Sequence, residues 1–182
     1  MEASESAPNF RELFLIFADQ ALVTVPEFEV LPGDRVPQPA RDLLVHEHHM
    51  TVTLEQFYGR RVELRVLAER RRNEHYARMI LLALEGTDQI VQFGIVRVDL
   101  SCCEPEVQAA ILAGKAPLGR ILIEHDVLRR IDPAVFLKIY PHREMQQWMR
   151  LSALQPVFGR LATIYCNHMP AVELLEVVCP PK

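Results

Sequence analysis

Apolar residues fall into two rhythms along this chain, and their order predicts strand hairpins separated by a few short helices. The stretch Tyr76–Leu84, YARMILLAL, is apolar at nearly every position, the pattern of a strand buried on both faces. The turn signal EGTD and a second apolar run, Gln89–Leu100, complete a hairpin. Ahead of it, Val62, Leu64, Val66 and Ala68 alternate with Glu63, Arg65 and Glu69, which predicts a half-exposed strand. Val157–Cys166 and Ala171–Val178 form a second strand pair around the turn Asn167-His168-Met169-Pro170. This order favours an α+β domain with a single antiparallel sheet flanked by helices.

The helical rhythm is shorter-ranged. Phe10, Leu13, Phe14, Phe17 and Leu22 space an amphipathic helix over Phe10–Val23. Pro26, Pro32, Gly33, Pro37 and Pro39 then break regularity, so residues 1–37 are read as an arm lying across the domain. A helix from Ala40 carries Leu43 and Leu44 and breaks near His49-Met50. Thr51 is the expected N-cap of the next helix, with Leu54 and Phe57 on it and Gly59 as its left-handed cap. Glu104-Pro105-Glu106 starts a helix that stops at Gly114, and Pro117 starts another, PLGRILIEH. Two such helices between strands suggest a lid or an edge cover. Asp126–Tyr140 reads as two apolar runs parted by Asp132-Pro133, and Pro141–Ser152 as an amphipathic segment holding Trp148.

A length of 182 residues suits one domain spanning 1–182, and 49% apolar with 24% charged residues suits a packed core. The formal charge of -4 exerts no global pull toward nucleic acid or an anionic membrane. The local exception, Glu69-Arg70-Arg71-Arg72, is read as a solvated hairpin loop. No apolar run reaches the length of a membrane span, and the acidic start MEASESAPNF lacks the build of a secretion signal. A cytoplasmic location is the expectation, with the protein a monomer or small homo-oligomer. Cys102, Cys103, Cys166 and Cys179 form no C-x-x-C pair and read as reduced structural thiols.

One charge stands out. Arg78 lies in the middle of the most apolar strand, and a guanidinium cannot shed its charge to lower the cost of burial. It calls either for a carboxylate elsewhere in the fold or for an anionic ligand above the sheet, whose two oxygens match its paired N–H donors. Glu173 and Glu176, three apart in the last strand, should face opposite sides. The inward one is either a general acid or a structural partner for a buried arginine. His46, Glu47, His48 and His49 do not make H-E-x-x-H, because Met50 stands where the second histidine would be. They read as exposed histidines at a helix end, and no metal is expected. Ser101-Cys102-Cys103 lacks the context of a nucleophile and reads as buried small residues. The seven glycines are scattered, with no phosphate-cradling run.

Four segments in order, LLVHEHHMTVTLEQFYG, YARMILLAL with its following strand, GKAPLGRILI and NHMPAVELLEVV, resemble the chorismate lyase family (chorismate–pyruvate lyase, 4-hydroxybenzoate synthase). The similarity runs from about Leu43 to Val178, and P-L-G-R is its most specific piece. It implies an antiparallel sheet with helical flaps over a buried ligand pocket. It also implies release of pyruvate from chorismate to leave 4-hydroxybenzoate, without metal or organic cofactor, for a quinone such as ubiquinone, a glycolipid or another secondary pathway. Carried over, Met50 and Leu118 line the pocket, Arg78 anchors the ring carboxylate and Glu176 transfers a proton. Glu173 is the fallback carboxyl, because the spacing from Pro170 to Glu176 is one residue longer than in the best-known members. Gly119 would let the flap backbone approach closely.

The resemblance has one departure. Many members carry an Arg early in the strand after the central turn, where this chain has Gln92, with Arg97 further on. A weakened second anion site is compatible with a different hydroxybenzoate isomer, or with a relative that binds an aromatic acid without turnover. Sensor domains of one class of bacterial transcription regulators share the fold and bind small molecules. Their DNA-binding module precedes the sensor, and residues 1–37 are read as too short and too acidic to supply it.

Overall fold

The computed structural model of the chain describes residues 8–19 and 24–181, with the side chains of Pro133 and Ala134 outside that description. Seven strands among them form one sheet: β1 (Glu27–Leu31), β2 (Val62–Arg72), β3 (His75–Leu84), β4 (Ile90–Asp99), β5 (Arg129–Tyr140), β6 (Val157–Cys166) and β7 (Met169–Val178). Their order is β1-β5-β6-β7-β4-β3-β2, and every neighbouring pair is antiparallel. The expected α+β class with a single antiparallel sheet is the one observed.

Helices cover both faces. On one face α1 (Phe10–Leu15) and α6 (Arg143–Trp148) pack Phe10, Phe14, Met145 and Trp148 against Met79, Phe93, Leu161 and Leu175. On the other lie α2 (Ala40–Leu44), α3 (Met50–Tyr58), α4 (Pro105–Leu112) and α5 (Leu118–Glu124). Their apolar sides form two clusters, one around Leu43, Leu54 and Ile80, the other around Val107, Ile121 and Leu174. The boundary between those clusters is where the polar side chains of this sheet face gather.

Several boundaries differ from the sequence reading. The helix expected over Phe10–Val23 runs only to Leu15, Phe17 is buried in the turn after it, and residues 20–23 lie outside the described part. The arm contributes the short edge strand β1, flanked by Pro26 and Pro32, which end pairing on either side. Helix α3 begins at Met50, two residues before the span a Thr51 cap would give; His49 is its N-cap residue, and Gly59 closes it with φ 62°. Glu69–Arg72 is not a loop: β2 continues through it, pairing Glu69 with Arg78 and Arg72 with His75, and only Asn73 and Glu74 form the turn. A bulge at Leu67 lets the strand run on after its alternation changes face. The two runs parted by Asp132-Pro133 are one strand, β5, whose register shift between Pro133 and Val135 accommodates the imino acid. The four-residue turn after β6 tightens to Asn167 and His168, both left-handed, and Met169 and Pro170 already belong to β7.

Candidate functional site

Residue alternation puts Arg78, Ile80 and Leu82 of β3 on the same face as Gln92, Gly94 and Val96 of β4 and Leu174 and Glu176 of β7. That face looks toward α2–α5. Arg78 is 2% exposed. Its Nη2 donates to the Ala116 carbonyl at 3.3 Å, just ahead of α5, and its Nη1 has no hydrogen-bond partner. No carboxylate of the described residues forms an ion pair with it. Burial lowers its pKa, while Tyr76 two residues earlier and, more weakly, Glu69 act the other way. The Tyr76 hydroxyl itself donates to Glu69 at 3.1 Å.

Arg160 on β6 is the contrasting case. It is equally buried but fully engaged: Nε donates to Glu176 Oε2 at 2.6 Å, Nη1 to the carbonyls of Leu44 and His46, and Nη2 to that of His48. Those carbonyls end α2 and line the α2–α3 connection, where helix geometry leaves acceptors without partners. Arg160 therefore pins that connection to the sheet. The reading of Glu176 as the structural partner of a buried arginine is thus realised with Arg160, not Arg78. Glu173 faces the other side of the sheet and pairs with Arg97.

Met50, Arg78, Gln92, Leu118, Gly119 and Glu176 line one cavity of about 50 Å³ between the sheet and helices α3 and α5. All five residues named from the sequence, Met50, Arg78, Leu118, Gly119 and Glu176, meet there; the fallback Glu173 does not. Gly119 lies so close to α3 that a Cβ on it would fall 3.0 Å from Thr51 Oγ1 and 3.2 Å from the His49 ring. The lid helix α5 is also held by an ion pair between Arg120 and Glu55 of α3. Behind α5, Arg129 of β5 donates to His49. A cavity of this size holds one or two waters at ~30 Å³ each, so it must enlarge to take a ring-sized ligand.

The histidines are not the exposed helix-end group the sequence suggested. His49 is buried and His46 half-buried, and only His48 is exposed. Burial, reinforced for His46 by Arg160 and for His49 by Arg129 and Arg160, lowers both pKa values to about 4. Among the described residues no cluster of His, Cys, Asp and Glu has the arrangement of a metal site. Ser101 is exposed and Cys102 and Cys103 are half-buried, not the buried small residues expected: Ser101 and Cys102 lie in a 3₁₀ turn that Leu100 opens under an Asp99 cap, and Cys103 closes it. No two of the cysteines are joined by a disulfide. Arg160 escaped the sequence reading. An arginine inside the apolar run VFGRLATIY is the same signal that singled out Arg78.

A larger groove of about 1000 Å³ opens at the end of the sheet beside the β2–β3 hairpin, lined by Arg70, Arg71, Arg72 and Arg97. It is wide to solvent, and Arg70 and Arg97 are already paired with Asp19 and Glu173. It lacks the enclosed, unpaired charge that marks the smaller cavity.

No protein-family model matches the sequence, and no curated protein matches it. Solved structures do. PhnF from Mycobacterium smegmatis is 12% identical with a TM-score of 0.50, over 75% of this chain and 65% of that one. The effector domain of the same protein gives 12% and 0.50 over 72% and 88%. The ligand-binding domain of a GntR-family transcriptional regulator from Bordetella bronchiseptica gives 15% and 0.50 over 65% and 85%. The chain spans 65% of the length of the PhnF chain it matches. At these identities the likeness is one of fold. It fits the expected chorismate lyase-like architecture without singling out a lyase. No helix of the described residues is long and apolar enough to cross a membrane.

Proposed function

We propose that this protein binds a small organic anion in the cavity between sheet and lid, as a ligand-binding or sensor domain does, with Arg78 as the anion anchor. The observation that carries this reading is the Arg78 guanidinium: buried, without a carboxylate, with Nη1 unpartnered, on a side chain that lines the cavity. Burying such a group costs several kcal/mol unless something meets it, and a carboxylate supplies matching oxygens. Met50, Leu118, Ile80 and Leu174 give the cavity apolar walls that suit a ring and exclude water. The lid admits the ligand by swinging α4 and α5 about the Gly114 turn, whose φ of 64° glycine adopts without strain. The solved ligand-binding and effector domains of similar fold support a binding role.

Titration of the full chain with 4-hydroxybenzoate tests the proposal. The expected result is saturable binding that Arg78→Ala weakens by about 2–5 kcal/mol, the range for truncating one member of a buried charge pair. Unaltered binding by that variant would remove the anchor from the account.

A second reading is favoured by one observation, the meeting of Met50, Arg78, Leu118, Gly119 and Glu176 around one cavity. In it the protein is a chorismate lyase. Arg78 fixes the ring carboxylate, Glu176 handles the proton and the closed lid keeps water out. Pyruvate release from chorismate above the spontaneous rate supports this reading, and its absence alongside 4-hydroxybenzoate binding leaves the binding role alone.

A further inference from the structure

We propose that the Arg78 cavity selects a monoanion that also carries a hydrogen-bond donor, that it rejects dianions, and that Gln92 is the residue setting this choice. The inference rests on the reading of the cavity as a ligand site and goes on to name the class of ligand.

The charges facing the cavity can be counted. From β3 comes Arg78, unpaired. From β7 comes Glu176, whose charge is met by Arg160 at 2.6 Å. From the start of α3 comes His49, an uncharged imidazole near neutral pH because its pKa lies at about 4. From α5 come Leu118 and Gly119, and from β4 comes Gln92, all without charge. Among the residues that line the cavity one positive charge is left over; the exposed Glu69 acts on it weakly from outside the lining. A ligand with a single carboxylate cancels it. A second carboxylate would be buried with no counter-charge, which is strongly unfavourable in an enclosed apolar site.

Gln92 supplies the other half of the selection. It is 3% exposed, and its Oε1 has no hydrogen-bond partner. Its amide lies over Gly94: a Cβ on that glycine would sit 3.3 Å from Gln92 Nε2 and 3.2 Å from the Leu175 carbonyl. The missing side chain at 94 therefore gives the amide its resting place on the sheet. An amide oxygen cannot bond to a carboxylate, but it accepts from a hydroxyl. Arg78 pairs with Val96, four residues along β4 from Gln92, so the two backbone positions are roughly 13 Å apart along the strand. Both side chains line the cavity. The arrangement fits an elongated hydroxy acid with its anion at one end and its donor at the other, and a dicarboxylate such as chorismate fits it poorly.

Three probes of one ring shape separate the components in calorimetric titrations of the full chain: 4-hydroxybenzoate, benzoate and terephthalate. The expected order is 4-hydroxybenzoate about tenfold tighter than benzoate, for one hydrogen bond, and at least about a hundredfold tighter than terephthalate. Gln92→Leu should erase the preference for 4-hydroxybenzoate over benzoate. Gln92→Arg should turn the preference toward terephthalate. Terephthalate binding as tightly as 4-hydroxybenzoate overturns the charge count while leaving the site in place. An unchanged hydroxyl preference in Gln92→Leu overturns the role of Gln92. Binding of none of the three by the wild-type chain overturns both the selection and the ligand site beneath it.

Discussion

Arg160 and Glu176 stand directly opposite each other on β6 and β7, with Nε 2.6 Å from Oε2. The same guanidinium also holds three main-chain carbonyls of the α2–α3 connection. Removing it strands Glu176 and those acceptors at once. Arg160→Ala should therefore lower folding stability by about 3–5 kcal/mol in chemical denaturation. The paired change Arg160→Met with Glu176→Leu should cost clearly less, because no lone charge remains.

Arg78 should behave in the opposite way. It has no acidic partner to strand, and its burial opposes folding. Arg78→Met, close in volume, should raise the unfolding free energy by about 1–2 kcal/mol while abolishing ligand binding, the trade expected where a site stores unfavourable charge for a ligand. A loss of stability in that variant would mean that the fold already uses the guanidinium.

The fit of α5 onto α3 depends on the absence of a side chain at Gly119. A Cβ there would press on Thr51 Oγ1 at 3.0 Å and on His49. Gly119→Ala should push the lid outward at a cost of about 1–3 kcal/mol. Faster amide hydrogen exchange confined to α4, α5 and the start of α3 is the expected signature.

Acid should weaken the fold through the α2–α3 connection. In the unfolded chain His46 and His49 protonate near 6.5, whereas in the folded protein they do so only at about 4. Between those values the unfolded state binds more protons, so stability rises with pH across the window. It is fully present above about 6.5 and lost as pH falls through about 4. His49 contributes up to about 3 kcal/mol to that loss, and His46 less, because more of its ring reaches solvent. A denaturation series from pH 7.5 to pH 4 with His49→Gln alongside measures it: the variant should show the shallower decline.

Much of the fold was legible because its strands are long and apolar. Tyr76–Leu84, Val157–Cys166 and the hairpin between Leu84 and Ile90 carry their own period and turns. What was misread lay where tertiary pairing overrides local pattern. Glu69–Arg72 is polar enough for a loop, yet its partners in β3 draw it into the sheet. Pro133 breaks a strand by rule, but a bulge absorbs it. Glu27–Leu31 is too short to announce itself and exists by pairing with β5. At the site, Arg78 could be found as a charge in an apolar run. That Arg160, and not Arg78, holds Glu176 could not, since both arginines give the same signal and only the strand order of β6, β7 and β4 separates them.

A crystal structure of the protein with 4-hydroxybenzoate tests the central claim most directly. The account predicts the ring in an enlarged cavity between the sheet and α5, its carboxylate within hydrogen-bond distance of Arg78 Nη1. A ligand seated instead in the open groove by Arg70–Arg72, with Arg78 unmoved and its cavity closed, would contradict it.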